Sequence, residues 1–359
     1  MISVNSVVNS AEIGFKKLSL HYAFHQPSAS GYGWATCNNS LIKELQDHFV
    51  LVDDRHSADV CFMPLADHNL SPAASATGKI RLAYTFFESA LGPEAKANAL
   101  CHDTVFCGSS WCLERMKEAG IINGKVLIQG VDNNVFKLGE RKKDGQYRIF
   151  SGGKYEHRKG QDLVALAFRE FLKSNPDAHL VCSWYNPWPH LIPLLAKRNG
   201  EKIDMPQEQL FEAYLIGIGI PRHAFTILPQ LDQGELCKEM QNTDVGLFPS
   251  RCEGGTNLVL MEYLATGNPV VANIETGHRD LWDFRDDSGA EANIFPIVAE
   301  KDSKHWAVQN PSNITTALRT ARRHGCQKRS PAWTWRTTAQ KIADEAHRIA
   351  IERNRAFSI

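Results

Sequence analysis

The chain has 359 residues, which is long for one hydrophobic core and comfortable for two domains. Hydrophobic residues make up 43% of it and charged residues 22%, so the composition excludes an intrinsically disordered chain. Lys plus Arg equals Asp plus Glu at 40 each, and a general nucleic-acid or membrane-surface binder would normally show a basic excess.

Short apolar runs alternate with helical stretches through the amino half. The predicted strands are 17–22, 59–63, 80–86, 104–107 and 125–129, and the predicted helices are 38–49 and 109–119. Such alternation favours a parallel sheet covered by helices. The polar interval 137–146 predicts an interdomain linker.

The second half repeats the same alternation. Its predicted strands are 148–151, 179–183, 225–228, 244–248 and 268–272, with helices at 161–174 and 207–216 and a final amphipathic helix near 337–353. We therefore predict an α/β fold of two Rossmann-like domains with a cleft between them.

The segment 249–262 carries the clearest chemical signal. It places Glu253 and Glu262 on either side of a Gly-Gly turn and a helix start, where free backbone N–H groups can bind an anion. It also follows a predicted strand, and open α/β sheets bind ligands outside the carboxyl ends of their strands. A sugar nucleotide needs N–H donors for its diphosphate and carboxylates for its hydroxyls, and this segment supplies both. Taken singly, each glutamate would more often be an ordinary solvated carboxylate.

A basic loop follows the first predicted strand of the second half. Lys154 and Lys159 are five residues apart on a loop that enters a helix. Both ammonium groups and the helix N-terminus can therefore converge on one anion. A solvated basic turn is the alternative interpretation.

These two segments resemble a known family, the retaining GT-B glycosyltransferases of family 4, often called glycosyl transferases group 1. The family separates its two glutamates by seven residues, whereas eight residues lie between Glu253 and Glu262. Lys159 matches the family lysine that contacts the donor diphosphate, and Lys154 stands where arginine is usual. Lysine keeps the charge there but loses the bidentate fork.

The resemblance implies a GT-B fold of two Rossmann-like domains facing across a cleft. It assigns 1–140 to an acceptor-side domain, 146–335 to a nucleotide-sugar domain, and 336–359 to a helix that packs back on the first domain. The implied activity is transfer of a sugar, a hexose in our expectation, from a nucleotide diphosphate sugar to a hydroxyl acceptor with retention of configuration. UDP- and GDP-sugars are the expected donors, and the acceptor stays open.

The resemblance also implies roles for individual residues. Glu262 would hold the ribose, while Glu253 and the 254–258 backbone would hold the sugar hydroxyls and phosphate. The catalytic candidates are Glu253, Lys159 and Lys154. The donor-binding candidates are Gly31, Gly33, Gly153, Leu231, Gly254, Gly255, Thr256, Asn257, Leu258 and Glu262. The acceptor-side candidates are Glu88, Ser109 and His25, with His21 and His102 also considered.

We expect neither a metal nor a cofactor at this site. No Asp-x-Asp triplet occurs in the sequence, which argues against the metal-dependent GT-A fold, and a magnesium-diphosphate site usually needs one or two carboxylates. Lys154, Lys159 and helix N-termini would instead neutralise the leaving diphosphate. Another GT-B enzyme, such as a sugar-nucleotide epimerase or a phosphorylase, and a non-catalytic sugar-nucleotide-binding protein are the alternatives.

The sequence also carries expectations about compartment. It shows neither a signal-peptide pattern at its start nor a window of membrane-spanning length, so we expect a soluble, cytoplasmic protein. Its nine cysteines are odd in number and scattered, which indicates reduced thiols. The densest group, Cys101, His102, Cys107 and Cys112, matches no zinc spacing, so buried thiols are favoured there over a metal site.

Overall fold

A computed structural model describes residues 17–24, 33–72, 78–139, 141, 144–188, 192, 205–282, 293–324 and 333–356. The glycine loop around Gly31 and the candidate His25 lie outside these described residues.

The first sheet has the strand order β2-β1-β3-β5-β6-β7, and all of these pairs are parallel. A short strand, β4, pairs antiparallel with β3. The strands are β1 (Ser19–Tyr22), β2 (Val50–Leu51), β3 (Val60–Ala66), β4 (Ser71–Pro72), β5 (Ile80–Thr85), β6 (Thr104–Cys107) and β7 (Gly124–Val126). The helices are α1 (Gly33–Leu45), α2 (Ala95–Leu100) and α3 (Ser110–Glu118).

The second sheet has the order β10-β9-β8-β11-β12-β13 and is parallel throughout. Its strands are β8 (Tyr147–Lys154), β9 (Ala178–Tyr185), β10 (Phe225–Ile227), β11 (Val245–Phe248), β12 (Val270–Asn273) and β13 (Ile294–Ile297). An antiparallel pair, β14 (Glu300–Lys301) and β15 (Ala307–Val308), follows it. The helices are α4 (Gln161–Leu172), α5 (Gln207–Gly217), α6 (Gln233–Gln241), α7 (Leu258–Ala265), α8 (Arg279–Trp282), α9 (Pro311–His324) and α10 (Trp335–Ala356).

Continuous apolar runs explain why the central strands are parallel and covered on both faces. Every residue of β11 and of β12 is buried, which is the pattern of a strand with helices on either side. The aromatic rings of Phe150 and Tyr263 stack at 5.3 Å and join β8 to α7 in the core. The packing of α7 on the sheet therefore fixes the position of Glu262, which this helix carries.

The last helix packs against the first sheet. Trp335 and Ile342 of α10 lie in the same buried cluster as Leu20 and Tyr84. Glu345 of this helix accepts hydrogen bonds from the Thr104 hydroxyl at 2.5 Å and from the Lys125 ammonium at 2.6 Å. The chain thus crosses twice between the two halves of the molecule, before β8 and before α10.

The structure confirms the predicted strands and helices of both halves, with shifted ends. Helix α1 begins at Gly33 and ends at Leu45, whereas the apolar spacing predicted 38–49. The prediction extended too far because Phe49 continues the helical spacing of apolar residues, although this buried residue lies in the turn after the helix. The two-residue strands β2, β4, β14 and β15 were not predicted, because strands this short show no periodicity.

Candidate functional site

Two loops leave the second sheet side by side at its switch point. From β8 the chain proceeds outward through β9 and β10, and then returns to β11 on the other side of β8. The loops after β8 and β11 therefore open into one crevice, the usual ligand site of such sheets. A Cβ at Gly160 would lie 2.3 Å from the Pro249 carbonyl oxygen, so only glycine lets these loops touch.

Glu253, which follows β11, is surrounded by donors. The Lys159 ammonium lies 2.9 Å from its carboxylate, the Arg158 guanidinium 3.0 Å, and the Asn257 amide nitrogen 3.1 Å. Burial alone would raise the pKa of Glu253, but Lys159 and Arg158 lower it to about 2. Glu253 is therefore a fixed anion, and it is only 3% exposed.

Arg158 is a site residue that sequence reasoning missed. It lies 2.8 Å from Glu156 and 3.4 Å from Glu88, in addition to its contact with Glu253. Burial lowers its pKa, and these three carboxylates more than compensate. The signal available was a third basic residue directly before Lys159, which the family signature does not require.

Lys154 is linked to Arg158 through Glu156, which forms an ion pair with each of them. Its ammonium lies 2.5 Å from one Glu156 oxygen, while Arg158 contacts the other oxygen, and it also lies 4.8 Å above the Trp188 ring. The two lysines predicted from the basic loop thus belong to one array, which runs from Lys154 through Arg158 to Lys159.

His278 is a second residue that sequence reasoning missed. Its Nδ1 lies 3.2 Å from the Asn273 carbonyl oxygen and its Nε2 lies 3.3 Å from the Asn257 amide nitrogen. Burial, with a further contribution from Lys159, lowers the pKa of His278 to about 4, although Glu253 acts in the opposite direction. The ring is therefore neutral at pH 7, with its proton on Nδ1 and its Nε2 accepting from Asn257. Its position after the carboxyl end of β12 was the available signal.

Glu262 lies on α7 in a different environment. It is 6% exposed, and burial raises its pKa to about 8 without a cation to oppose the effect. Burial raises the pKa of the Cys37 thiol on α1, and the charge of Glu262 raises it further. The same thiol accepts a hydrogen bond of 2.7 Å from the Gln129 amide. Glu262 therefore lies close to α1 of the first domain.

The remaining donor-side candidates of the second domain lie near the carboxyl ends of its strands, whereas Gly33 belongs to the first domain. A Cβ at Gly254 would lie 2.3 Å from the Phe87 carbonyl oxygen, so the loop after Glu253 fits closely against the first domain. In that loop Gly254, Gly255 and Thr256 are buried, and the next apolar residue, Leu258, packs on the hydrophobic core of the first domain. Leu231 is half-buried after β10, and Gly153 lies within β8 with a φ of 116°. Gly33 begins α1.

The acceptor-side candidates are used where the domains meet. Glu88 pairs with Arg158, and its carbonyl oxygen accepts a hydrogen bond of 2.8 Å from the Trp306 indole. Ser109 is fully buried; its hydroxyl donates to the Gly254 carbonyl at 2.6 Å and caps α3 by accepting from the Cys112 amide. Both hydrogen-bonding capacities of the Ser109 hydroxyl are thus taken within the protein. The acceptor-side roles stay predictions.

Within the described ranges, we find no group of His, Cys, Asp and Glu side chains that could hold a metal ion. In the cysteine-rich group, Cys101 is exposed while Cys107 and Cys112 are buried as free thiols. The helices of this part of the chain include none with the length and apolar character needed to span a bilayer.

Comparison with known proteins relates this site to a family. Residues 132–283 match the family Glycosyl transferases group 1, and this range contains both loops of the crevice and α7. This part of the chain is therefore similar to a glycosyl transferases group 1 domain. A comparison with curated protein sequences returned no match.

Several solved structures share the fold. The Anabaena protein Alr3699/HepE, solved in complex with UDP and glucose, is 14% identical with a TM-score of 0.57, covering 95% of this chain and 99% of that chain. Sucrose-phosphate synthase from Thermosynechococcus elongatus is 13% identical with a TM-score of 0.52, covering 85% and 75%. Starch synthase IV from Arabidopsis thaliana, whose catalytic domain was solved with ADP and acarbose, is 12% identical with a TM-score of 0.51, covering 90% and 76%. The predicted GT-B fold is confirmed.

Proposed function

We propose that the chain is a retaining GT-B glycosyltransferase of family 4 that transfers a hexose from a nucleotide diphosphate sugar to a hydroxyl acceptor. One observation carries this proposal: the cations of the β8 loop and the glutamates of the β11 segment meet at the switch point of the second sheet. A match to the glycosyl transferases group 1 family over the same residues supports it.

In this proposal the crevice binds the donor in three parts. Glu262 accepts hydrogen bonds from the ribose, because this buried group lies close to α1 and has no cationic partner among the described residues. Lys154, Arg158 and Lys159 bind the diphosphate, which matches their charge. The loop from Glu253 to Leu258 holds the transferred sugar. The Anabaena protein was solved with UDP-glucose, which supports a UDP-sugar as the donor.

The proposed chemistry requires only groups that the chain supplies. The bond from the sugar C1 to the diphosphate oxygen breaks, and a bond from C1 to the acceptor oxygen forms on the same face. The departing phosphate oxygen takes the proton of the acceptor hydroxyl, so that configuration is retained without a separate base. The three cations stabilise the charge that develops on this diphosphate, an effect worth roughly 3 kcal/mol per preorganised donor. They serve in place of a metal ion.

We also propose a reducing, cytoplasmic compartment. Eight cysteines fall among the residues that the structure describes, and none of these eight is joined in a disulfide. Seven of the eight are buried, with Cys101 exposed, which fits a protein that keeps its thiols reduced.

A thermal-shift panel tests the proposed function. The purified protein is heated with UDP, GDP, ADP and TDP and with their common sugar conjugates. A ligand that binds only the native state raises the melting temperature, with about 2.7 kcal/mol of stabilisation at a hundred times its Kd. We expect one nucleobase to give a clear shift, and the same ligand to give a smaller shift with Lys159→Ala. A folded protein that responds to none of these ligands would contradict the proposal.

A further inference from the structure

One buried oxygen of the crevice has no partner. The side-chain oxygen of Asn257, Oδ1, makes no hydrogen bond within the described part of the chain, and Asn257 is 5% exposed. Leaving a buried acceptor unsatisfied costs stability, and such atoms are rare in folded proteins. The oxygen therefore marks a place where a ligand could complete the structure.

The orientation of the Asn257 amide is fixed by its neighbours. Its nitrogen donates to Glu253 at 3.1 Å and to the Nε2 of His278 at 3.3 Å. A carboxylate accepts hydrogen bonds and does not donate them, and the His278 ring presents its lone pair because its Nδ1 faces the Asn273 carbonyl. Rotation of the amide would place oxygen against two acceptors. Oδ1 must therefore point away from Glu253 and His278.

An unpartnered amide oxygen can only accept a hydrogen bond. An ionised diphosphate offers acceptor oxygens alone, so it cannot satisfy Oδ1. A sugar hydroxyl can donate to it. The neighbouring cations, Arg158 and Lys159, are hydrogen-bond donors and can therefore bind the phosphate oxygens.

Glu253 itself has no free capacity of this kind. One of its oxygens contacts Asn257 and Lys159, and the other contacts Arg158 and Lys159. Its carboxylate is thus occupied by three donors and is 3% exposed. Those contacts hold Lys159, Arg158 and the Asn257 amide in place.

From these contacts, and resting on the proposed function, we infer that the Asn257 side chain accepts a hydrogen bond from a hydroxyl of the transferred sugar. Glu253 is then a positioning residue, which acts through Asn257 and the two cations. The ribose is the other source of hydroxyls, but it is assigned to Glu262 further along α7. Ser109 and Phe87 of the first domain lie against Gly254, so the loop that carries Asn257 borders the boundary between the two domains.

The backbone at Asn257 allows a clean substitution. Its φ of 65° lies in the left-handed region, where glycine is unstrained and alanine is not. Asn257→Gly therefore removes the amide and keeps the backbone. Glu253→Gln removes the charge and keeps the size.

The experiment compares two ligands on each protein by calorimetric titration. The probes are UDP and UDP-glucose, or the nucleoside diphosphate and sugar conjugate that stabilise the wild-type protein in the thermal-shift panel. For Asn257→Gly, unchanged binding of the sugar-free ligand shows that the variant is folded, and for Glu253→Gln a cooperative thermal unfolding transition shows it. We expect Asn257→Gly to weaken the sugar conjugate about tenfold and to leave the nucleoside diphosphate within about twofold. We expect Glu253→Gln to weaken both ligands, because the substitution loosens the two cations as well as the Asn257 amide.

Sugar conjugates that lack one hydroxyl then identify the contact. One deoxy analogue should bind the wild-type protein about tenfold more weakly than the parent conjugate does. On Asn257→Gly, the analogue and the parent conjugate should bind with equal affinity. Equal weakening of both ligands by Asn257→Gly, or none, would overturn the inference while leaving the proposed function intact. A Glu253→Gln variant that loses affinity for the sugar conjugate alone would restore Glu253 as the direct contact. Failure of the wild-type protein to bind any sugar nucleotide would contradict the proposed function and this inference with it.

Discussion

The two ends of the 253–262 segment carry the same functional group in opposite surroundings. At one end, Glu253 lies among Lys159, Arg158 and Asn257, and its pKa is lowered to about 2. At the other end, Glu262 is equally buried but has no cationic partner within the described part of the chain, and burial raises its pKa to about 8. Burial raises the pKa of both carboxyls, so the neighbouring cations make the difference.

The difference separates two kinds of work within one binding segment. A carboxylate that stays ionised at every physiological pH can hold cations in place. A carboxyl that titrates near neutral pH suits contact with hydroxyls that both donate and accept. The predictions below test this division.

Substitution of Lys159 should have the largest effect. Lys159→Ala should lower turnover about a hundredfold or more, because an ammonium that stabilises the leaving diphosphate acts chiefly in the transition state. Release of nucleoside diphosphate from the sugar nucleotide measures turnover, and titration measures affinity. Lys173→Ala, which removes an exposed lysine paired with Glu170, is the matched control. Equal loss of affinity and turnover would contradict the transition-state role.

Neutralising Glu253 should destabilise the protein. Glu253→Gln leaves the buried Lys159 without its counter-charge and removes one of the three carboxylates around Arg158; breaking a buried ion pair typically costs about 3–5 kcal/mol at pH 7. The lowered pKa means that the stabilisation by Glu253 is complete above about 4.5 and is lost as the pH falls towards about 2. Urea unfolding should therefore show a smaller difference between variant and wild type at pH 4 than at pH 7. Equal stability at pH 7 would show that the Glu253 charge does not hold this array.

Neutralising Glu262 should change the stability of the protein in the opposite direction. Its raised pKa means that its cost is absent below about 4.5 and grows as the pH rises to about 8. Glu262→Gln should therefore stabilise the ligand-free protein by little at pH 5, and the gain should grow by up to about 1.4 kcal/mol per pH unit until it levels off above pH 8. Melting temperatures across this range measure it. A gain independent of pH would mean that Glu262 stays charged in the folded protein.

The smallest effect concerns the carboxylate that reaches Arg158 from the first domain. Glu88 lies 3.4 Å from Arg158 and competes there with an incoming diphosphate. Glu88→Gln should bind the nucleoside diphosphate about threefold more tightly, since a partly exposed ion pair is worth less than about 1 kcal/mol. Calorimetric titration detects the change. Weaker binding would place Glu88 on the ligand instead.

The sequence predicts the β11–α7 unit well, because its signals are local. Glycines, a helix start and two apolar strands occur within about 30 residues, and each corresponds to a backbone requirement. The prediction that Lys159 shares a site with Glu253 came instead from the resemblance to the family, since the two residues are 94 positions apart in the sequence. The orientation of the two domains relative to each other carries no such local signal.

Arg158 and His278 were missed for a physical reason. Arg158 meets Glu253 across 95 positions of the sequence, and His278 meets Asn257 across 21. Such contacts depend on which loops the sheet order brings together. The opposite pKa directions of Glu253 and Glu262 were equally hidden, because burial and neighbouring charge are properties of the folded chain. The role of Ser109 depends on contact between domains for the same reason.

The most direct test of the account titrates three ligands of increasing length: the nucleoside monophosphate, the diphosphate and the sugar conjugate of the base that stabilises the protein. Glu262→Ala should weaken all three by the same factor, because all contain the ribose. Lys159→Ala should leave the monophosphate unchanged and weaken the two diphosphates. Loss of monophosphate affinity in Lys159→Ala, or unchanged binding of all three ligands to Glu262→Ala, would contradict the assignment of the diphosphate to Lys159 and of the ribose to Glu262.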